Sequence, residues 1–159
     1  MTDKNVSIMN IGSMGYLPQV FKKIENEKKL NIVYLGGSIT MGCNATKTEL
    51  RYVDRSAKWW QTNFPDAEIS YFNAGIGATT SQFGVARVQE HVLDKQPDLV
   101  FVEFSVNDSS SLLFMETYES LVRRLLKAES VKAVVLINNL FYDTGTNAQG
   151  IHNAIGLHY

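Results

Sequence analysis

The 159-residue chain is 45% apolar and 19% charged with a net charge of −1, an ordinary globular composition that gives no electrostatic reason to expect nucleic acid or an anionic membrane surface. Its single cysteine, Cys43, excludes intrachain disulfides, and CxxC or Cys/His zinc spacing is absent. One domain is expected, residues 1–159, burying roughly 68–70% of the surface of its unfolded chain, with a small or neutral molecule as partner.

The first seven residues have neither a basic nor an apolar leader segment, and no run of about 18 apolar residues follows, so a soluble cytoplasmic protein without membrane association is expected. Residues 1–29 are read as an N-terminal arm followed by a short helix over 18–28, with Pro18 in its first turn. Strand one covers 31–36: Ile32, Val33, Tyr34 and Leu35 run apolar and stop at Gly36-Gly37, with Ser38 at the break. Leu50, Val53, Ala57, Trp60 and Phe64 recur at spacings of three and four, predicting a helix that Pro65 ends, with Trp59 and Trp60 in the core. A second strand over 68–73 breaks into Asn73-Ala74-Gly75-Ile76-Gly77-Ala78-Thr79-Thr80, and Ser81–Leu93 is helical. The most hydrophobic strand, Leu99–Phe104, ends at Ser105-Val106-Asn107-Asp108. A helix through Tyr118–Leu126, a fourth strand at Ala133–Ile137 and a final helix carrying Ala148, Ile151 and Ile155 complete the chain.

Strands alternating with helices imply a parallel sheet covered on both faces and joined by right-handed crossovers. Ligands bind outside the carboxyl ends of such strands, so a hydroxyl presented there by glycines is a candidate nucleophile. Taken alone, Ser38 also fits a helix cap.

Gly36-Gly37-Ser38-Ile39-Thr40, the glycine-rich stretch 73–81 and Ser105-Val106-Asn107-Asp108 resemble, in order, the first three sequence blocks of the SGNH (GDSL-type) hydrolases, a family of esterases and lipases. The resemblance implies a flavodoxin-like three-layer α/β/α fold in which Ser38 attacks an ester carbonyl. It also implies an oxyanion hole made by the Ser38 N–H, the Ala78 N–H and the Asn107 side chain, with Gly37 and Gly77 lining the substrate site. Fixed donors aimed at a tetrahedral oxyanion are worth about 10²–10³ in rate each. Asp108 is read as a turn residue closing the strand. Neither a metal nor an organic cofactor is implied. Short loops at 43–50, 109–116 and 141–147 favour a small acyl group, acetyl above all, and the substrate is expected to be a small-molecule or carbohydrate ester.

The chain departs from the family pattern in two places. Gly37 stands where the family carries an aspartate before the serine, and no Asp-x-x-His block, the family's source of the general base, occurs. The expectation is a C-terminally incomplete domain lacking the last strand and helix, with its base outside the chain. Of the three histidines, His91 is read as a surface residue, and His152 and His158 as solvated or partly packed helix residues; none is assigned as base. Cys43 is read as a packed thiol. An uncovered fourth strand predicts self-association through that sheet edge. Two other classes stay open: a non-catalytic domain retaining the pocket, and a nucleotide-binding domain, for which Gly75-Ile76-Gly77 is a partial fingerprint with Thr80 in place of its third glycine.

Overall fold

A computed structural model describes residues 7–141 and 143–159; the first six residues of the predicted arm, and Tyr142 in the loop at 141–147, lie outside the described residues. Four strands, β1 (Lys29–Gly36), β2 (Glu68–Gly75), β3 (Leu99–Glu103) and β4 (Ala133–Leu136), form one parallel sheet in the order β2-β1-β3-β4. Among the described residues six α-helices accompany them: α1 (Leu17–Glu27), the single-turn α2 (Ser38–Met41), α3 (Tyr52–Asn63), α4 (Ser81–His91), α5 (Leu112–Leu126) and α6 (Gln149–His158). The predicted strands and helices are all present, with ends displaced by a few residues.

The period-two alternation of the strands sorts the core into two layers. Ile32, Tyr34 and Leu99 pack with Val20, Ile24, Val53 and Trp60 of α1 and α3. Val33, Leu35, Val100 and Val102 face α4, α5 and α6 through Val88, Leu121, Leu125 and Ile155. The three-layer α/β/α arrangement follows, with β1 and β3 buried on both faces and β2 and β4 at the edges. Trp59 corrects the expectation of two core tryptophans: it is 52% exposed whereas Trp60 is 6% exposed, because adjacent helical positions cannot both face the sheet.

The chain leaves β1 for β2 through α3, then returns across β1 through α4 to reach β3. Strand order therefore reverses between β1 and β3, and their carboxyl ends flank the crevice where open α/β sheets place ligands. At the other edge, the described part of the arm, β4 and α6 enclose a cleft of about 610 Å³ lined by Ile8, Met9, Val134, Leu136, His152 and Leu157 among others. Ser38 does not line it.

Candidate active site

Gly36 ends β1 where no side chain fits: a Cβ there would strike the Thr40 hydroxyl and lie 2.6 Å from the Glu103 carbonyl oxygen. The backbone of β3 is that close because Gly37 N–H donates to the same carbonyl at 3.3 Å. Gly75 plays the matching part for β2, since its Cβ would lie 2.6 Å from the Thr40 carbonyl carbon and 2.7 Å from Met41 Cα. Two strand ends thus clamp the one-turn helix α2, and Asn73 closes it by donating from Nδ2 to the Thr40 carbonyl at 2.8 Å.

Ser38 opens α2. The cap position belongs to Gly37, with no side-chain cap bond, so capping is not the serine's role. As the first helical residue Ser38 has an N–H with no intrahelical acceptor, and its half-buried side chain makes no hydrogen bond to another described residue.

Gly37 is where the three sequence blocks meet. A Cβ on it would lie 2.7 Å from Asn107 Oδ1 and 3.4 Å from the Thr79 carbonyl oxygen. The missing aspartate has a steric correlate here: the Asn107 amide occupies space that a side chain at 37 would need. Asn107 Oδ1 is buried without a partner, which leaves the NH₂ as the accessible end of that amide. Ala78 is exposed and takes a left-handed φ of 56°, and its N–H makes no hydrogen bond to another described residue. Gly77 lies against α2, its Cβ position 3.3 Å from Met41 Cε. The structure therefore gathers Ser38, Gly37, Asn107 and the 76–79 turn at the ends of β1, β2 and β3, with donors left unused by the fold.

Buried polar side chains support this rim. Arg87 of α4 donates to the carbonyls of Ala74 (2.7 Å) and Gly36 (3.1 Å), fastening the ends of β2 and β1 together. Desolvation lowers its pKa to about 10. Glu103, fully buried, accepts from Thr40 Oγ1 at 3.4 Å, and Thr40 in turn meets Tyr52 Oη at 2.9 Å. Burial holds the Glu103 carboxyl above the ordinary carboxylate range. The Asn139 amide faces that carboxyl without closing a hydrogen bond, leaving Glu103 Oε1 and Asn139 Nδ2 both unpartnered.

The histidines are engaged elsewhere. His152 is 1% exposed, fully buried where a solvated or partly packed residue was expected; its Nε2 lies 3.0 Å from Asp108 Oδ2, and its ring stacks on Tyr118 at 3.6 Å with a 4° tilt. Asp108 is more than a turn residue, since its Oδ1 also accepts the Ser81 N–H at 2.9 Å. His91 is half-buried with Nδ1 3.3 Å from Arg87, and His158 packs edge-on against Tyr159. Among the described residues no histidine hydrogen-bonds Ser38. Cys43 is exposed, not packed, and its thiol donates to Asn44 Oδ1 at 3.8 Å. Among the described residues no three His, Cys, Asp or Glu side chains group to hold a metal ion, and no helix is long and apolar enough to cross a membrane.

Sequence reasoning missed Arg87, Glu103 and the Asp108–His152 pair. Only Glu103 left a trace, as a lone acid inside a hydrophobic strand.

Comparison with known proteins bears on what the rim is for. A two-domain esterase (CEX) active on acetylated mannans is 47% identical with a TM-score of 0.87; the match covers 94% of this chain and 40% of that one. The same esterase co-crystallised with mannopentaose gives 49% identity and a TM-score of 0.91. The chain thus spans about two fifths of the length of that relative. The SGNH-hydrolase esterase AlinE4 (20% identity, TM-score 0.66, 82% of this chain and 72% of that one) shares the fold. So does the acetylxylan esterase Axe2 from Geobacillus stearothermophilus (20%, 0.63, 81% and 70%). No curated protein sequence matches the chain. The model of the GDSL-like lipase/acylhydrolase family matches residues 34–155, a span running from β1 to α6 that contains all three blocks, and the chain belongs to that family of carboxylic-ester hydrolases.

Proposed function

We propose that this chain carries the nucleophile and oxyanion hole of a serine esterase that removes acetyl groups from a mannan-type carbohydrate. The observation that carries this reading is the meeting at Gly37 of the free Ser38 hydroxyl and N–H, the Asn107 amide and the turn holding the unbonded Ala78 N–H. The 47% identity to an esterase active on acetylated mannans supports the choice of substrate.

In this reading Ser38 Oγ attacks the acetyl carbonyl carbon, and its proton passes to a general base. The oxyanion that forms is met by the Ser38 and Ala78 N–H groups and the Asn107 NH₂. Collapse expels the sugar hydroxyl, which takes up the proton, and leaves Ser38 acetylated until water releases acetate. We assign the base to polypeptide outside these 159 residues, because among the described residues no histidine hydrogen-bonds Ser38 and His152 and His91 have other partners. For the β4 edge we propose pairing with a second copy, giving a concentration-dependent dimer by light scattering; a strict monomer refutes it.

The esterase reading is tested by acetate release from acetylated manno-oligosaccharides, comparing this chain with Ser38→Ala. Turnover that vanishes in the variant supports the esterase and brings the base inside the chain. Equal silence, with Ser38-dependent turnover in a longer polypeptide, supports the esterase and the external base. Binding of the oligosaccharides without turnover in either favours a non-catalytic domain that retains the pocket.

A further inference from the structure

We propose that Asp108 and His152 are a positioning pair that sets two of the three oxyanion donors, so that α6 takes part in catalysis without touching substrate. The proposal rests on the esterase reading for its effect on rate, and on geometry alone for its effect on structure.

Asp108 follows Asn107 in a turn whose two N–H groups both donate to the Phe104 carbonyl, at 2.9 and 3.0 Å. Each of its carboxylate oxygens has a different task. Oδ1 accepts the N–H of Ser81, the first residue of α4 and only three residues after Ala78. Oδ2 meets His152 Nε2 in surroundings where the two side chains are 0% and 1% exposed. One carboxylate therefore fixes the turn that aims Asn107 and the helix start that follows the Ala78 turn.

His152 is what holds that carboxylate still. A carboxylate oxygen accepts only, so Nε2 is the nitrogen that donates in this pair. Nδ1 is buried without a partner among the described residues, so Asp108 is the ring's one hydrogen-bond anchor there. Stacking on Tyr118 fixes the ring plane, and the Ala148 N–H, donating to the Ser105 carbonyl at 2.7 Å, ties the start of α6 to the same turn. A buried pair of this kind is seldom kept for stability, since apolar residues of similar volume serve as well or better. Its position between two donor turns gives the reason to keep it, because displacement of a catalytic group by about 1 Å costs about 10² in rate.

The test places Asp108→Asn, His152→Phe and His152→Gln in whichever polypeptide shows Ser38-dependent turnover, this chain or the longer one that supplies the base. Asparagine cannot accept at both oxygens, and phenylalanine keeps the ring stack while removing the donor; the glutamine amide reproduces the Nε2 donor. In Asp108→Asn and His152→Phe, kcat for Ser38-dependent p-nitrophenyl acetate hydrolysis should fall about 10- to 100-fold with KM within about twofold. The NMR signals of the Ala78 backbone amide and the Asn107 side-chain amide should shift, and His152→Gln should keep wild-type values of both. A folded Asp108→Asn or His152→Phe variant with wild-type kcat and unmoved signals overturns the proposal. So does a His152→Gln variant that loses kcat at unchanged Tm. If neither this chain nor the longer polypeptide shows Ser38-dependent turnover, the esterase reading fails by itself, and the two amide signals still decide the positioning role.

Discussion

The middle of the sheet and its carboxyl rim are built on opposite terms. In the middle, Ile32, Val33, Leu35, Leu99, Val100 and Val102 are fully or almost fully buried and paired by backbone ladders, with rings such as Tyr34 and Phe101 stacked at 4.8 Å. At the rim the chain buries Arg87, bonded to the Ala74 and Gly36 carbonyls, Glu103 at the end of β3, and the Asp108–His152 pair. The buried side-chain polar atoms without partners among the described residues, such as Arg87 Nε, Glu103 Oε1, Asn107 Oδ1 and His152 Nδ1, gather at this end. Unpaired buried groups cost about 1–3 kcal/mol each, so their concentration at the strand ends marks where stability yields to a second requirement.

That contrast is open to breaking at both ends. Leu99→Ala, in the middle, should lower stability by about 2–5 kcal/mol, read by denaturant unfolding. The protein that remains folded should retain its Ser38-dependent rate, because Leu99 faces α1 and α3. A selective loss of rate at full stability would mean the middle of the sheet is not merely scaffold.

Asn107→Ala should do the reverse. Loss of one oxyanion donor costs about 10²–10³ in kcat, while removal of a side chain whose buried oxygen has no partner should leave stability within about 1 kcal/mol. Steady-state kinetics set beside a melting curve separates the two effects. An unaltered rate would remove Asn107 from the proposed hole.

How far each region could be read in advance follows the same division. The middle was legible because burial on both faces demands apolar runs, and 32–35 and 99–102 show them. Ser38 stood out because a strand that stops at glycines is a local signal, whereas Ala78 and Asn107 were singled out by the resemblance of 73–81 and 105–108 to the family's second and third blocks. Asp108 and His152 were not: 44 residues separate them in sequence, and a histidine on an amphipathic helix looks the same whether it meets water or a buried carboxylate. Arg87 hid for a like reason, since its partners are backbone carbonyls that no sequence pattern records. Trp59 is a different case, a misreading of two neighbours when the stripe through Val53, Ala57 and Trp60 had room for one.

Glu103 sharpens the contrast through pH. Burial raises its carboxyl above the ordinary value of 4.5, so the folded chain retains a proton that the unfolded chain releases. Its contribution to stability is complete below the ordinary value and is lost as pH rises through the raised one, roughly 1.4 kcal/mol for each pH unit over which the proton is kept. Glu103→Gln keeps a neutral group able to accept from Thr40 and cannot ionise. Its stability relative to wild type should therefore climb between about pH 4.5 and the raised value, where the wild type declines. Parallel stability curves across that range would show that the carboxyl is not held protonated by burial.

Ala78 gives the smallest effect and the finest test of how the rim differs from the interior. Its φ of 56° costs an L-residue roughly 1–2 kcal/mol, and glycine would remove that strain. Glycine also loosens the unfolded chain, which offsets about 0.4–1 kcal/mol of the gain. Ala78→Gly should therefore be neutral or stabilising, by up to about 1 kcal/mol in chemical denaturation, in an exposed turn where no packing is lost. Gly36→Ala is the mirror substitution, with its new Cβ driven against Thr40 and the Glu103 carbonyl. It should destabilise by about 1–3 kcal/mol or more. If Ala78→Gly instead destabilised the fold, the alanine methyl would have to make a contact that its exposure does not provide. The strained donor turn would then belong with the packed interior and not with the rim.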